Sequence, residues 1–308
     1  MMALESQSPH WEWYYIALYF YIGGISAGAY FIGSLLELLN KENLREISRT
    51  AYRIAFPLIC ITPVLLIADL GQPMRFWHLF FYTKDGIPYM NLTSPLSVGT
   101  WALLVYSGMS FLSFLNVLAE EGRLTQETLK KFHALFNRLP HKVFAAVGSF
   151  FGFFVAGYTG VLVNTTARPL WEATDPLFGP IFIASAASTG AASIALTMAW
   201  KKSSVQDAFA HLEHLERFDR VAMIIELALI AAMLAVGGRY AAPLLTGFFG
   251  FLFLGGAVLL GIVTPLWLTW RRNRAGIANE SAVMVVGLLV LFGGLMLRIS
   301  LVQAGQMQ

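Results

Sequence analysis

Eight continuous apolar stretches, each about twenty residues or longer, leave this chain few ways to fold. They fall at about 13–39, 50–70, 94–118, 142–166, 178–200, 217–237, 242–270 and 281–304. A helix needs roughly 20 apolar residues to cross the hydrocarbon core of a bilayer. Only helices and closed barrels satisfy their backbone polar groups in lipid, and unbroken apolar runs mean helices. The expectation is an all-α integral membrane protein, eight transmembrane helices packed as bundles, forming a single polytopic domain over residues 1–308. The composition agrees, with 57% of residues hydrophobic and only 13% charged. The sixth stretch is the least typical, because it carries Asp219, Arg220 and Glu226. The longest connection, roughly 119–141, is polar and reads as a helical hairpin or loop.

The distribution of basic residues sets a direction. Lys41, Arg45, Arg49 and Arg53 follow span 1; Arg123, Lys130, Lys131, Arg138 and Lys142 follow span 3; Lys201, Lys202, Arg217 and Arg220 follow span 5; Arg271, Arg272 and Arg274 follow span 7. The connections after spans 2, 4 and 6 hold only Arg75, Lys84, Arg168 and Arg239. Cytoplasmic connections are the ones enriched in Lys and Arg, so both termini are expected on the outer, periplasmic side of the inner (cytoplasmic) membrane. The opening MMALESQSPHWEW has no Lys or Arg, so it lacks the basic region of a cleaved signal, and span 1 is expected to stay. The net charge of +3 gives no reason to expect nucleic acid.

Several chemistries are excluded. The one cysteine, Cys60, cannot supply the roughly four thiolates of an iron–sulfur cluster. None of the six histidines lies deep in a span, so no paired axial ligands for a transmembrane haem are expected. No metal site and no nucleotide fingerprint is expected either. Gly24 and Gly28 make a GxxxG on span 1, whose simplest reading is close helix packing.

Polar residues gather instead at the outer ends of the helices. Span 2 runs outward to Asp69, after which Gly71 and Pro73 stop it. Span 4 runs outward to GYTGVLVNTTARPLW, where Asn164 and Arg168 share a face if the helix persists that far. Tyr158 lies about 9 Å deeper by helical rise. Span 1 opens with Trp11, Trp13, Tyr14 and Tyr15, with Tyr19 one turn below, and span 8 brings Arg298. Edge aromatics commonly form an interfacial belt, and Arg75 and Arg168 can simply meet headgroups. Asp69 and Arg298 are harder to dismiss, since an ionisable group in hydrocarbon faces a partner or a cavity. Either they pair with each other, or they line a site for a polar headgroup. A quinone suits such a site: its carbonyl oxygens need donors and its two-electron reduction needs protons. Tyr158 would donate to an oxygen and Asp69 would exchange the proton. Two other readings stay open, a secondary transporter with Pro-broken helices and a purely structural anchor. No internal repeat supports the transporter.

Four motifs in order, DLGQPMRFWH, TSPLSVGTW, NTTARPLW and RISLVQAGQ, resemble the NrfD-like family, typified by the membrane subunit of polysulfide reductase. The resemblance covers most of the chain. It implies a haem-free, quinone-reactive integral subunit, with menaquinone or ubiquinone as the cofactor and a place in anaerobic respiratory electron transport. It implies two partners, an electron-transfer subunit with iron–sulfur clusters and a catalytic subunit, often of the molybdopterin type. Tyr158 matches the family tyrosine at the quinone, and Asn164, Arg168, Pro169, Leu170 and Trp171 match its motif. With Tyr15, Tyr19 and Asp69 they make the expected quinone site, in which Asp69 and Tyr158 carry the chemistry. Arg220 and Arg298 match arginines connected with proton movement; with Asp219 and Glu226 they make an expected proton pathway. One departure lies on span 1, where Ile16 and Tyr19 stand in place of the family's Asn and His, and Tyr19 does not titrate near neutral pH as His does. Arg75, Trp77 and His78, in the loop after span 2, are expected to meet a docked partner.

The orientation is directly testable. Reporter fusions at the C-terminus and near residue 130 are expected to report opposite sides, the C-terminus outside and residue 130 in the cytoplasm. An active cytoplasmic reporter at the C-terminus reverses the assignment.

Overall fold

The structure is a computed structural model that describes residues 13–70, 72–84, 87–90, 93–136, 141–164, 168–200, 206–275 and 280–307. Trp11, Gly71, Arg138, Lys201 and Lys202, and the side chains of Trp13 and Tyr14, lie outside the described residues. Eight helices are long and apolar enough to cross a membrane: Tyr15–Leu38, Glu42–Asp69, Pro95–Glu120, His141–Asn164, Phe178–Trp200, Glu213–Leu244, Gly247–Arg274 and Ser281–Gln306. These are spans 1 to 8. The protein is a multi-pass, all-α integral membrane protein. A short antiparallel hairpin, Tyr82–Lys84 with Ile87–Tyr89, interrupts the helical pattern between spans 2 and 3. A helix at Glu127–Phe136 occupies the long connection before span 4.

Some boundaries differ from the hydropathy reading for a physical reason. Spans 2 and 6 begin earlier, at Glu42 and Glu213. Helical hydrogen bonding does not stop where apolarity stops, so the charged ends protrude as helix. They are held there by ion pairs. Arg45 and Arg49 of span 2 pair with Glu120 at the end of span 3, Arg53 pairs with Glu121, and Arg272 of span 7 pairs with Glu216 of span 6. These contacts put the ends of spans 1, 3, 5 and 7 on one face, called here the basic face, and both described termini on the opposite, terminal face.

The packing divides into two bundles. Span 1 packs on spans 2 and 4, and span 3 on spans 2 and 4; span 5 packs on spans 6 and 8, and span 7 on span 8. Spans 1 and 5 cross at the boundary and are the most enclosed, 78% and 72% buried over their apolar windows. Lipid supplies no hydrophobic drive between helices, so close approach at small residues does the work. At Gly28 an added Cβ would stand 1.8 Å from the Ala186 carbonyl oxygen, and at Gly190 it would stand 2.4 Å from the Gly28 carbonyl carbon. Gly261 and Gly293 make a comparable crossing between spans 7 and 8, where span 7 runs as π-helix over Leu252–Val263.

The crossing predicts a stability effect. Gly190→Val meets backbone that no rotamer change can clear, and is expected to lose about 3 kcal/mol, read as a lower unfolding temperature of the detergent-solubilised protein. Gly108→Val, with nothing within 4 Å of an added Cβ, is expected to leave that temperature unchanged.

Candidate functional site

The terminal end of the first bundle is organised around Tyr158. The residue is 8% exposed and its ring lies across span 3 at Gly99, where a Cβ would come within 2.1 Å of it. Phe154, one turn along the same helix, stacks on it with centroids 5.9 Å apart and planes at 12°. Phe154 is itself 37% exposed on the flank of the bundle, so one aromatic layer separates Tyr158 from lipid. Tyr19 of span 1 is buried within electrostatic reach of Tyr158. The Tyr158 hydroxyl is buried and has no hydrogen-bond partner among the described residues. An unpaired buried hydroxyl costs about 1–3 kcal/mol.

The other expected residues lie at the same, terminal end of their helices. Asp69 is the last residue of span 2, half-buried, with Leu70 already extended. Tyr15 is half-buried in a π-turn, Trp13–Ala17, that packs on spans 2 and 8. Asn164 ends span 4. Its Nδ2 donates to Asp175 Oδ1 at 2.6 Å, and its buried Oδ1 has no partner among the described residues. The expected shared helical face of Asn164 and Arg168 is not formed. The helix ends at Asn164, and Arg168 is extended at φ −108°, ψ 135° as the cap of a short helix, Pro169–Ala173. Pro169 causes this, because its ring excludes the helical region for the residue before it. The backbone then turns inward: Trp171 is fully buried, donates from Nε1 to Leu301 O at 3.1 Å and sits against Gly305 of span 8.

The loop after span 2 is pinned from behind and open in front. Phe80 and Phe81 meet Trp101 edge-on at 5.5 and 5.6 Å, and Trp101 Nε1 donates to Phe80 O. This leaves Met74, Arg75, Phe76, Trp77 and His78 exposed on a 3₁₀ turn, Pro73–Leu79, with Trp77 and His78 stacked at 3.7 Å.

A separate polar ladder runs through the second bundle. Arg298 is 1% exposed and turned toward span 5: its Nη1 donates to Ser185 Oγ and to Gly294 O, and its Nη2 to Phe182 O, while its charge lies 5.1 Å over the Phe182 ring. Gly24 makes room, since a Cβ there would stand 3.3 Å from Arg298 Nη2. Glu226, 4% exposed, lies within reach of Ser185 and within electrostatic range of Arg298. Asp219, two turns away on span 6, accepts from Ser188 Oγ at 2.6 Å. The Glu216–Arg272 pair completes the ladder at the basic face. Of the two arginines in the expected proton pathway, Arg298 is the neighbour of Glu226, and Ser185 contacts both. Arg220 is half-buried, with no ion pair to Asp219 or Glu226 among the described residues. Ser185 and Ser188 went unnoticed in the sequence, although a polar pair three apart in an apolar span is a readable sign.

Eight spans in two bundles, with a buried phenol unpartnered among the described residues in one and buried charges in the other, define a polytopic membrane protein with polar groups inside its helix packing. The family model described as "Polysulphide reductase, NrfD" matches residues 3–308, and the chain belongs to that family. It is 27% identical to the protein NrfD homolog of Haemophilus influenzae, over 97% of this chain and 96% of that protein. It is likewise 27% identical to the C subunit of polysulfide reductase from Wolinella succinogenes, over 96% of the present sequence and 94% of the relative. A shorter match, 26% identical over 44% of the present sequence, is to the integral membrane subunit of menaquinone reductase from Nitratidesulfovibrio vulgaris.

Proposed function

We propose that this protein is the quinone-reactive membrane subunit of a respiratory oxidoreductase complex. In this reading it works as one membrane domain in the cytoplasmic membrane. It passes electrons between the quinone pool and an iron–sulfur partner subunit, and a catalytic subunit of the molybdopterin type handles the other substrate. The observation that carries the reading is the Tyr158 hydroxyl, buried, unpaired among the described residues and one aromatic layer from lipid. A lipid-soluble molecule with a carbonyl oxygen is the natural acceptor for it. A quinone bound there supplies two-electron, two-proton chemistry. The names of relatives that are subunits of polysulfide and menaquinone reductases support the same class.

The protein's own residues divide the work. Tyr158 donates to a headgroup oxygen, with Tyr19 and Tyr15 as aromatic walls. Asp69, half-buried at the helix end, exchanges a proton with solvent. Asn164, held by Asp175, offers its unpaired Oδ1, and Arg168 borders the site. Arg75, Trp77 and His78 form the docking surface, where exposed aromatics and an arginine are the residue types that anchor protein partners. Asp219, Arg220, Glu226 and Arg298 are the charged groups of a proton pathway in the second bundle; the opposing reading makes the same ladder a packing device, since buried charges that are well bonded also fix helix register.

Two experiments follow. Tyr158→Phe and Asp69→Asn are expected to slow quinone-linked electron transfer in an assembled complex by roughly tenfold or more; wild-type turnover in both removes the assignment. Glu226→Gln keeps volume and hydrogen bonding but carries no proton. In liposomes containing the intact complex it is expected to depress membrane-potential generation; turnover and potential both equal to wild type leave the packing reading standing.

A further inference from the structure

The first bundle contains a second polar column, separate from the ladder on spans 5, 6 and 8. On span 1, Tyr19, Ser26, Tyr30 and Glu37 recur at helical spacing and form one stripe. Tyr106 and Ser113 form a facing stripe on span 3. The two are joined by hydrogen bonds. Tyr106 Oη and Ser26 Oγ lie 2.9 Å apart, and Ser26 donates onward to Ala55 O at 2.7 Å. Tyr30 Oη and Ser113 Oγ lie 2.8 Å apart, and Tyr30 donates onward to Phe144 O at 2.9 Å. Tyr52 of span 2 packs its ring 5.0 Å from that of Tyr30 and donates to Glu37 Oε2 at 2.7 Å.

Glycines admit the rings. A Cβ at Gly148 would stand 2.3 Å from Tyr30 Oη, one at Gly152 3.0 Å from Tyr106, and one at Gly99 2.1 Å from Tyr158. Hydroxyl-bearing rings seated this way are an expensive means of filling a membrane core that apolar side chains fill without cost. The column also has two open ends. At the basic face, a cavity of about 340 Å³ is lined by Glu37, Lys41, Arg45, Ser48, His141 and Lys142. At the terminal face stand Tyr19 and the Tyr158 hydroxyl, unpaired among the described residues. Glu37 and Tyr19 are separated by about 27 Å of helical rise, close to the roughly 30 Å of hydrocarbon.

We propose that this column is a proton route between the basic face and the Tyr158 site, with Glu37 as the carboxylate at its mouth. The proposal rests on the quinone reading above. When a quinone is reduced, two electrons arrive from the partner's iron–sulfur clusters and two O–H bonds form. The proton donated through Tyr158 is replaced along the column at Glu37 from solvent in the cavity, the other comes through Asp69, and oxidation runs the same sequence backwards. Each hydroxyl accepts one proton and releases another, then resets by rotating about its C–O bond. Between Tyr52 and Tyr30, between Tyr30 and Tyr106, and from Ser26 and Tyr106 to Tyr19 and Tyr158, no hydrogen bond stands among the described residues, so transfer at those three joints goes through water entering the column.

The test uses the intact complex in liposomes, a pH-sensitive dye on the side bearing Glu37, and a short-chain menaquinone analogue. Glu37→Gln and Tyr106→Phe are expected to slow proton exchange on that side, and turnover with it, by roughly tenfold. Binding of the analogue, measured by quenching of tryptophan fluorescence, is expected to stay as in wild type. Tyr30→Phe, whose ring keeps its seat on Gly148, provides a third variant with the same expectation. A wild-type complex that neither binds nor turns over the analogue overturns the quinone reading beneath the column. A wild-type complex that does both, matched by all three variants in dye signal and turnover, overturns the column alone.

Discussion

The crossing of spans 1 and 5 at Gly28 and Gly190 is the contact on which the two bundles depend. Backbone meets backbone there, because a Cβ at either glycine would overlap the facing helix. In lipid, helices gain nothing from hiding apolar surface, so such close approach, with its dispersion contacts, is what holds them together. The same closeness puts Gly24 beside Arg298 and lets a buried guanidinium reach span 5 from span 8. Without the small residues at 24, 28, 186 and 190, the charge would have no bonded seat.

Around this crossing the interior polar groups sort into two sets. One is charged and runs on spans 5, 6 and 8 from Glu216 through Asp219 and Glu226 to Arg298. The other is built largely of hydroxyls and stands on spans 1 to 4, in hydrogen-bonded pairs between Glu37 and the Tyr158 end. Buried polar groups are costly unless bonded, and nearly every member of both sets has a partner within the bundle. Among the described residues the Tyr158 hydroxyl and the Asn164 Oδ1 are exceptions at the terminal end, and Ser110 Oγ and Arg298 Nε are others within the bundles. Of these, the Tyr158 hydroxyl lies beside an aromatic that is itself partly exposed, and this is why the functional reading centres there.

Some of the site was readable in the sequence. Tyr158, Asn164 and Asp69 lie near the ends of apolar runs, and counting residues along a helix is enough to bring them toward one membrane face. Arg168 shows where that counting fails: Pro169 ends the geometry that four-residue spacing assumes, and the proline was present in the sequence to warn of it. Glu226 and Arg298 were recognisable as charges in hydrocarbon, and Ser185 with Ser188 as a polar pair on span 5, but that these groups meet was not, because it depends on how spans 5, 6 and 8 are rotated against one another.

Taken by itself, the sequence determined the class of the protein: eight apolar runs force eight helices, because lipid offers backbone amides no other partner, and four ordered motifs place the protein in its family. Only the tertiary structure decided which polar groups touch. Whether Arg298 pairs with Asp69 or with span 5, whether Tyr158 is bonded within the bundle, and whether Tyr30 and Tyr106 line one column depend on helix rotation and crossing distance. Those are set by where a missing Cβ lets one backbone approach another, and hydropathy does not report it.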